Sequence, residues 1–250
     1  QAVTISAGYN HVLMVDSNEI AWAWGANDLG QLGDKSYIDK SSPVKISLTC
    51  VKKVSAGNEI SMLLKKSGIL YTFGKNDVGQ LGGERQYNNK PVEIDAMVKD
   101  ISAGFSHILA LKSDGTVYAC GNNRNYTLGI FTTGEEYIPT LTQVPGLKNI
   151  SKIVSGENCS FALTMDGKIL FWGEIFDILD NKGTVTSVNS KVRELEFGNI
   201  KDVSVFGSGY RCLFIGEDES IKDIDGNMVV IDPRKHFPDN GSGVLEDPYL

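Results

Sequence analysis

The sequence predicts an all-β chain of the propeller type, and two recurring phrases held at a fixed spacing predict it. The first phrase is small and serine-led: Ser6-Ala7-Gly8, Ser55-Ala56-Gly57, Ser102-Ala103-Gly104 and Ser155-Gly156, with a weaker copy over 204–207. The second ends in glycine: Trp24-Gly25, Phe73-Gly74, Cys120-Gly121 and Trp172-Gly173, with Asp225-Gly226 as a degraded fifth. These second glycines recur at intervals of 49, 47, 52 and 53 residues, and a turn residue (Glu19, Gly68, Gly115, Gly167, Ser220) stands six positions before each. Units of this length made of four short strands are the signature of propeller blades.

Each unit reads as strands in order. Val51–Ala56 leads in, and Ser61–Lys65 follows as an alternating run. A Lys-Ser-Gly turn comes next, then Ile69–Phe73, a polar loop and a short Pro-Val-Glu-Ile strand over 91–94. The third unit carries Ser-Asp-Gly over 113–115, a strong hairpin signal. No stretch sustains a helical period. Blades crowd toward a central channel, so the small Ser-Ala-Gly phrases let inner strands approach closely. The bulky Trp24, Phe73 and Trp172 are expected to fill the wider space between blades, and the glycine after each to release the chain into its loop at positive φ.

The 250 residues suit one large domain, with 41% hydrophobic and 22% charged residues. Repeat units occupy 1–226, and 227–250 is a non-repeat tail that either closes the ring or leads into a further domain. The formal charge of −7 and the absence of any basic run exclude the clustered Lys and Arg that bind phosphate backbones, so nucleic acid is not an expected partner. No stretch has the roughly 18 apolar residues of a membrane helix, and no signal peptide is visible before the first strand. Cys50, Cys120, Cys159 and Cys212 contain no Cys-x-x-Cys pair, which removes a zinc reading.

Three phrases in fixed order now reach a known family. Ser-Ala-Gly-x-x-His is followed by Asp-Gly-x-Val-Tyr or its variants. Then come Asn27-Asp28-Leu29-Gly30-Gln31-Leu32-Gly33 and Asn76-Asp77-Val78-Gly79-Gln80-Leu81-Gly82, partly kept over 123–129 and lost over 174–181. The pattern resembles the regulator-of-chromosome-condensation repeat over roughly 3–226. That resemblance implies a β-propeller, usually of seven blades, where five units are detectable here. Separately, the ending Asn240-Gly-Ser-Gly-Val-Leu-Glu-Asp-Pro-Tyr-Leu250 resembles a lead-in found before β-rich domains of bacterial surface proteins.

Candidate chemistry is sparse. His11 and His107 occupy one repeat position that elsewhere holds Ile60 and Cys159, so both read as structural; His236 stands alone. Cys120, Cys159 and Cys212 occupy repeat positions and are expected buried and inert, leaving Cys50 as the candidate exposed thiol. No Ser-His-Asp or Cys-His-Asn set can be assembled. Gly25 to Gln31 lacks the Lys-Ser/Thr of a phosphate loop, and Asp223 to Asn227 lacks the closing Glu of a calcium loop. The Asn-x-Ser/Thr triplets at 125, 158 and 240 are near chance, and Asn158 is expected at a buried strand edge. No cofactor, metal or catalytic residue is expected.

The long loop of each unit carries acids (Glu84, Glu135, Glu136, Asp177, Asp180) and aromatics (Tyr37, Tyr87, Phe131, Tyr137, Phe176). Tyr37, Tyr87 and Tyr137 repeat in register and read as packing. Phe131 and Phe176 break register and, with Glu84, Glu135, Glu136 and Asp177, are the candidate binding residues. The expected function is a non-enzymatic module presenting these loops to a protein partner. Two readings stay beside it: guanine-nucleotide exchange on a small GTPase, which the resemblance implies, and a secreted or surface-anchored adhesion or enzyme-inhibitor propeller. Localisation stays open between cytoplasm and cell surface.

Overall fold

The computed structural model describes residues 1–132, 134–176, 185–196, 198–206 and 211–223, with the backbone alone at 175–176, 185–191, 206 and 211. Five antiparallel sheets follow one another as blades. Blade 1 is β1 (Ala2–Ala7), β2 (His11–Asp16), β3 (Ala21–Gly25) and β4 (Lys40–Lys45). Blade 2 is β5 (Val51–Ala56), β6 (Ile60–Lys65), β7 (Leu70–Gly74) and β8 (Asn88–Asp95). Blade 3 is β9 (Val98–Ala103), β10 (His107–Lys112), β11 (Val117–Asn122) and β12 (Tyr137–Gln143). Blade 4 is β13 (Ile150–Ser155), β14 (Cys159–Thr164), β15 (Ile169–Phe176) and β16 (Val185–Leu195). In blade 5 the described strands are β17 (Ile200–Phe206), β18 (Arg211–Gly216) and β19 (Ile221–Lys222). The helical content described is one 3-10 turn, Arg124–Tyr126.

The core lies between blades rather than within them, because a single twisted sheet buries its faces only against another sheet. Leu13, Val15, Ala21 and Ala23 of blade 1 form one cluster with Val51, Val54, Leu63 and Phe73 of blade 2. Equivalent clusters join blade 2 to 3, 3 to 4 and 4 to 5. Each large apolar side chain closed off in this way is worth about 1.5–3 kcal/mol. Phe73 and Trp172 are fully buried at these junctions. Trp24 departs from the expectation and is half-buried, because among the described residues no blade covers the face of blade 1 on which it stands.

The close approach of inner strands is visible at one glycine. A Cβ on Gly57 would lie 2.1 Å from the Gly104 carbonyl oxygen, and no side chain survives that distance. The glycines that end the third strand, Gly25, Gly74, Gly121 and Gly173, have φ of 109°, 105°, 112° and 92°. At the opposite turn, Glu19, Gly68, Gly115 and Gly167 take positive φ as the spacing predicts. In blade 5 the left-handed residue is Glu219 (φ 64°), not Ser220; Glu219 stands three residues after the end of β18, as Gly167 stands three after the end of β14. That phrase and the 227–250 tail lie outside the described residues, as does His236.

Neighbouring blades are also tied by polar bonds. His11 Nε2 is 2.8 Å from Ser61 Oγ, and Ser61 Oγ donates to the Gln31 carbonyl at 2.6 Å. A hydroxyl has one hydrogen, so the imidazole must be the donor to Ser61. The same bridge joins His107 to Ser160 at 3.0 Å and Ser160 to the Thr127 carbonyl at 2.9 Å. The other ring nitrogen, Nδ1, has no hydrogen-bond partner among the described residues in either histidine. Burial therefore lowers the pKa of His11 to about 4 and that of His107 to about 3. Ion pairs Lys53–Asp100 and Lys152–Asp202 tie inner strands at the junctions that lack a histidine bridge.

Candidate interaction face

In each blade strands 1 and 3 run the same way, so the turn after strand 1 and the long loop after strand 3 emerge together. All such segments meet on one face of the disc. At its centre is a funnel of about 650 Å³ lined by Ala7, Gly8, Ala56, Gly57, Ala103, Gly104 and their neighbours. Backbone bonds stitch its wall: Tyr9 N–H to Gly57 O (3.2 Å), Asn58 N–H to Gly104 O (3.3 Å) and Phe105 N–H to Gly156 O (3.2 Å). The rim alternates Tyr9, Asn58, Phe105 and Glu157, and Tyr9 is 75% exposed.

The long loops are built around one buried asparagine each. Asn27 Oδ1 accepts the Leu32 N–H at 2.9 Å, while its Nδ2 donates to Asp34 Oδ1 (3.0 Å) and the Ser36 carbonyl (3.1 Å). Asn76 and Asn123 receive Leu81 and Leu128 in the same way. Gln31 and Gln80 accept from the backbone two residues back, closing a small ring within the motif. Leu32, Leu81 and Leu128 then drop into the junction cores. The Asn-Asp-x-Gly-Gln-Leu-Gly phrase is thus a rigid pedestal, and the residues after it are what the face displays. Among the described residues, no three His, Cys, Asp or Glu side chains are grouped to hold a metal ion.

The predicted binding residues that the structure describes fall on this face with different surroundings. Phe131 is 67% exposed and stacks on Tyr126, with centroids 6.2 Å apart and planes 6° from parallel. Glu136 is held by Arg124 at 2.8 Å. Glu84 and Glu135 are exposed, and each lends its carbonyl to its own loop, Glu84 to Asn76 and Glu135 to Thr132. Phe176 ends β15; its side chain, with Asp177 and Asp180, lies outside the described residues. Tyr37 and Tyr87, read as packing, are 51% and 40% exposed. Asn158, expected at a buried edge, is half-buried in a turn.

The most organised feature was not legible in the sequence. Two guanidinium groups lie over the Tyr137 ring, Arg85 of blade 2 at 5.3 Å and Arg124 of blade 3 at 5.5 Å from its centroid. Arg85 is fixed by a bond from Nε to the Asp77 carbonyl at 2.8 Å. Arg85, Tyr137 and Arg124 thus form a partly exposed arginine–aromatic group over the junction of blades 2 and 3, and the Tyr126–Phe131 pair stands in the same blade 3 loop as Arg124. Two of the chain's five arginines stand here, and that enrichment is the only sequence signal that could have found it. Cys50 is exposed, while Cys120, Cys159 and Cys212 are buried; burial pushes the Cys159 thiol to about 12 and raises that of Cys120.

Comparison with known proteins agrees with this architecture. The family model described as "Regulator of chromosome condensation (RCC1) repeat" matches residues 20–64, 67–111 and 114–163, and a second model of the same description matches 2–31, 51–80 and 98–127. The ultraviolet-B receptor UVR8 of Arabidopsis thaliana is 27% identical over 182 residues, covering 69% of this chain and 41% of that protein. The guanine nucleotide exchange factor SRM1 of Saccharomyces cerevisiae is 28% identical over 213 residues, covering 68% and 44%. The chain spans less than half the length of either. Among solved structures, Prp20p from Saccharomyces cerevisiae superposes with a TM-score of 0.74 at 25% identity, covering 89% of this chain and 56% of that one. Human WBSCR16, with a TM-score of 0.75 at 20% identity, shares the fold. The cell-surface alternative gains nothing from these relatives. The matched repeats cover more than half of the residues, and the chain belongs to the regulator of chromosome condensation (RCC1) repeat family.

Proposed function

We propose that this chain is a protein-interaction module that recognises its partner through the loop face, centred on the Arg85–Tyr137–Arg124 stack and the adjoining Phe131. The observation that carries the reading is the cluster itself. Arginine and tyrosine are enriched among the residues that dominate binding energy, and here they are held rigid by pedestal loops and by each other. Arg85 makes no ion pair among the described residues, so a carboxylate of the partner fits beside it. Glu84 and Glu135 would form a polar rim, and Phe131 an apolar anchor.

Guanine-nucleotide exchange on a small GTPase is the second reading. It is favoured by similarity to SRM1 and to Prp20p, a structure described together with its binding to Gsp1p and histones. Affinity capture of partners from the source cells, followed by binding measurements with the recovered protein, tests the first reading. R85A/F131A is expected to weaken binding at least tenfold, and unchanged binding would sink it. Release of a fluorescent nucleotide from a recovered GTPase, accelerated by the chain, would specify exchange as the outcome of that binding.

A further inference from the structure

The long loop of blade 3 departs from its equivalents in blades 1 and 2. There a glutamine binds the loop to itself: Gln31 Oε1 accepts the Leu29 N–H and its Nε2 donates to Asp28, as Gln80 does with Val78 and Asp77. Blade 3 has Thr127 in that position, whose hydroxyl donates to the Arg124 carbonyl at 2.7 Å, and both glutamine bonds are lost. The left-handed residue of the turn is Gly30 in blade 1 and Gly79 in blade 2. Blade 3 has two in succession, Asn125 at φ 58° and Tyr126 at φ 59°, and both carry a Cβ, which makes this conformation costly. The turn at Asn125 and Tyr126 therefore holds more strain than its equivalents and lacks the glutamine that braces them. Yet this loop presents Arg124 to Tyr137 at 5.5 Å and Tyr126 to Phe131 at 6.2 Å.

The brace comes from the next blade. Glu174, the first residue after Gly173 on β15, is 7% exposed, and its Oε2 accepts a hydrogen bond from Asn125 Nδ2 at 2.5 Å. Its own N–H donates to the Asn158 carbonyl at 2.9 Å, so the carboxylate is delivered from a fixed strand. The same repeat position holds Ala26, Lys75 and Asn122 in blades 1 to 3. Ala26 has no polar side chain, Lys75 turns to Glu59 and Asp77, and Asn122 accepts the Arg124 N–H, each within its own blade. Glu174 instead reaches back to the loop of the preceding blade. An exposed ion pair such as Arg124–Glu136 contributes little. A carboxylate this nearly buried is costly to leave unpaired, and a hydrogen bond to it is about twice as strong as one between neutral groups.

We propose that Glu174 is a positioning residue of the loop face, holding Asn125 and Tyr126 in their left-handed turn and so setting Arg124 and Tyr126 in place before a partner arrives. This role rests on the reading of that face as the recognition surface, and it makes blade 4 a determinant of binding although Glu174, being buried, need not touch the partner. A side chain that is already fixed loses less freedom on binding. The two residues that flank and complete the turn are those that carry a guanidinium over Tyr137 and a ring against Phe131. Removing the carboxylate lets the turn relax toward negative φ and releases both.

Backbone hydrogen exchange, resolved by nuclear magnetic resonance at Tyr126 and Gly129, reads the turn directly, because these N–H groups donate to the Asn123 and Tyr126 carbonyls. Glu174→Ala is expected to speed their exchange at least tenfold while Leu109 and Leu111 of β10 keep their rates. Glu174→Gln, which retains an acceptor oxygen, should stay within threefold of the unaltered chain. In an Asn125→Gly chain the donor is gone and glycine holds the turn without strain, so adding Glu174→Ala should change nothing further. Exchange raised equally in β10 would mark a merely structural role and overturn the proposal. So would unchanged exchange in Glu174→Ala, or its full effect with Asn125→Gly present. Titration of the captured partner gives the second readout, in which Glu174→Ala should weaken binding at least fivefold and Glu174→Gln less than twofold. Loss of binding with R85A/F131A but none with Glu174→Ala would overturn this role alone. No loss with either variant would overturn the reading of the face as well.

Discussion

His11 Nε2 and Ser61 Oγ are 2.8 Å apart across the junction of blades 1 and 2, and the serine passes the bond on to the Gln31 carbonyl of the pedestal loop. One buried hydroxyl thus ties strand, strand and loop of two blades. Ser61→Ala leaves an imidazole N–H and a carbonyl unpaired in the core. It is expected to lower stability by about 1–3 kcal/mol in urea unfolding, and Ser160→Ala to do the same. A change within a few tenths would show the bridge to be dispensable.

The two histidines make the fold acid-sensitive. Their folded pKa values, about 4 and about 3, lie below the ordinary 6.5. Between these values the unfolded chain binds more protons than the folded one. Their contribution is therefore complete above pH 6.5 and is lost as pH falls toward 4 and below, by up to about 1.4 kcal/mol per pH unit for each histidine. Unfolding midpoints from pH 7 to 4 should show this slope, and His107→Gln should reduce it. A slope unaltered by that variant would assign the acid sensitivity elsewhere.

Gly57→Ala should be among the most damaging single changes. Its Cβ would meet the Gly104 carbonyl of the next inner strand, and backbone on both sides cannot yield. The expected loss is about 3 kcal/mol or more, above the usual cost of overpacking. Circular dichroism on heating would reveal it. Full stability in this variant would mean that the inner strands are spaced more widely.

Met97 offers the opposite test. It holds φ 61° in an exposed connection, a conformation costing a side chain about 1–2 kcal/mol, part of which glycine returns as chain entropy. Met97→Gly should therefore raise stability by up to about 1 kcal/mol in a denaturant titration. Destabilisation would indicate that the methionine side chain makes a contact that matters.

The repeat made the blades legible because propeller geometry imposes the same residue types at the same place in every unit. Small residues at the axis, glycine after the third strand and a left-handed turn residue are all backbone requirements. The arginine–aromatic group around Tyr137 escaped because it obeys none of them. Arg85 lies eleven residues after Gly74 and Arg124 three after Gly121, so no repeat position links them, and only the overlap of neighbouring loops stacks both on Tyr137. The same limit applies to Tyr37 and Tyr87, which recur in register yet stand 51% and 40% exposed. His11 and His107 could be read as structural, but their serine partners, in a different blade, could not be named.

The most direct measurement is calorimetric titration of a captured partner into the intact chain, an R85A/R124A variant, and a control altered on the opposite face, K66E/K201E. The account predicts that the arginine variant keeps its unfolding midpoint but loses at least tenfold in affinity, while the control binds as the unaltered chain does. Equal affinity for the arginine variant, or loss confined to the control, would place recognition away from the loop face and contradict the account.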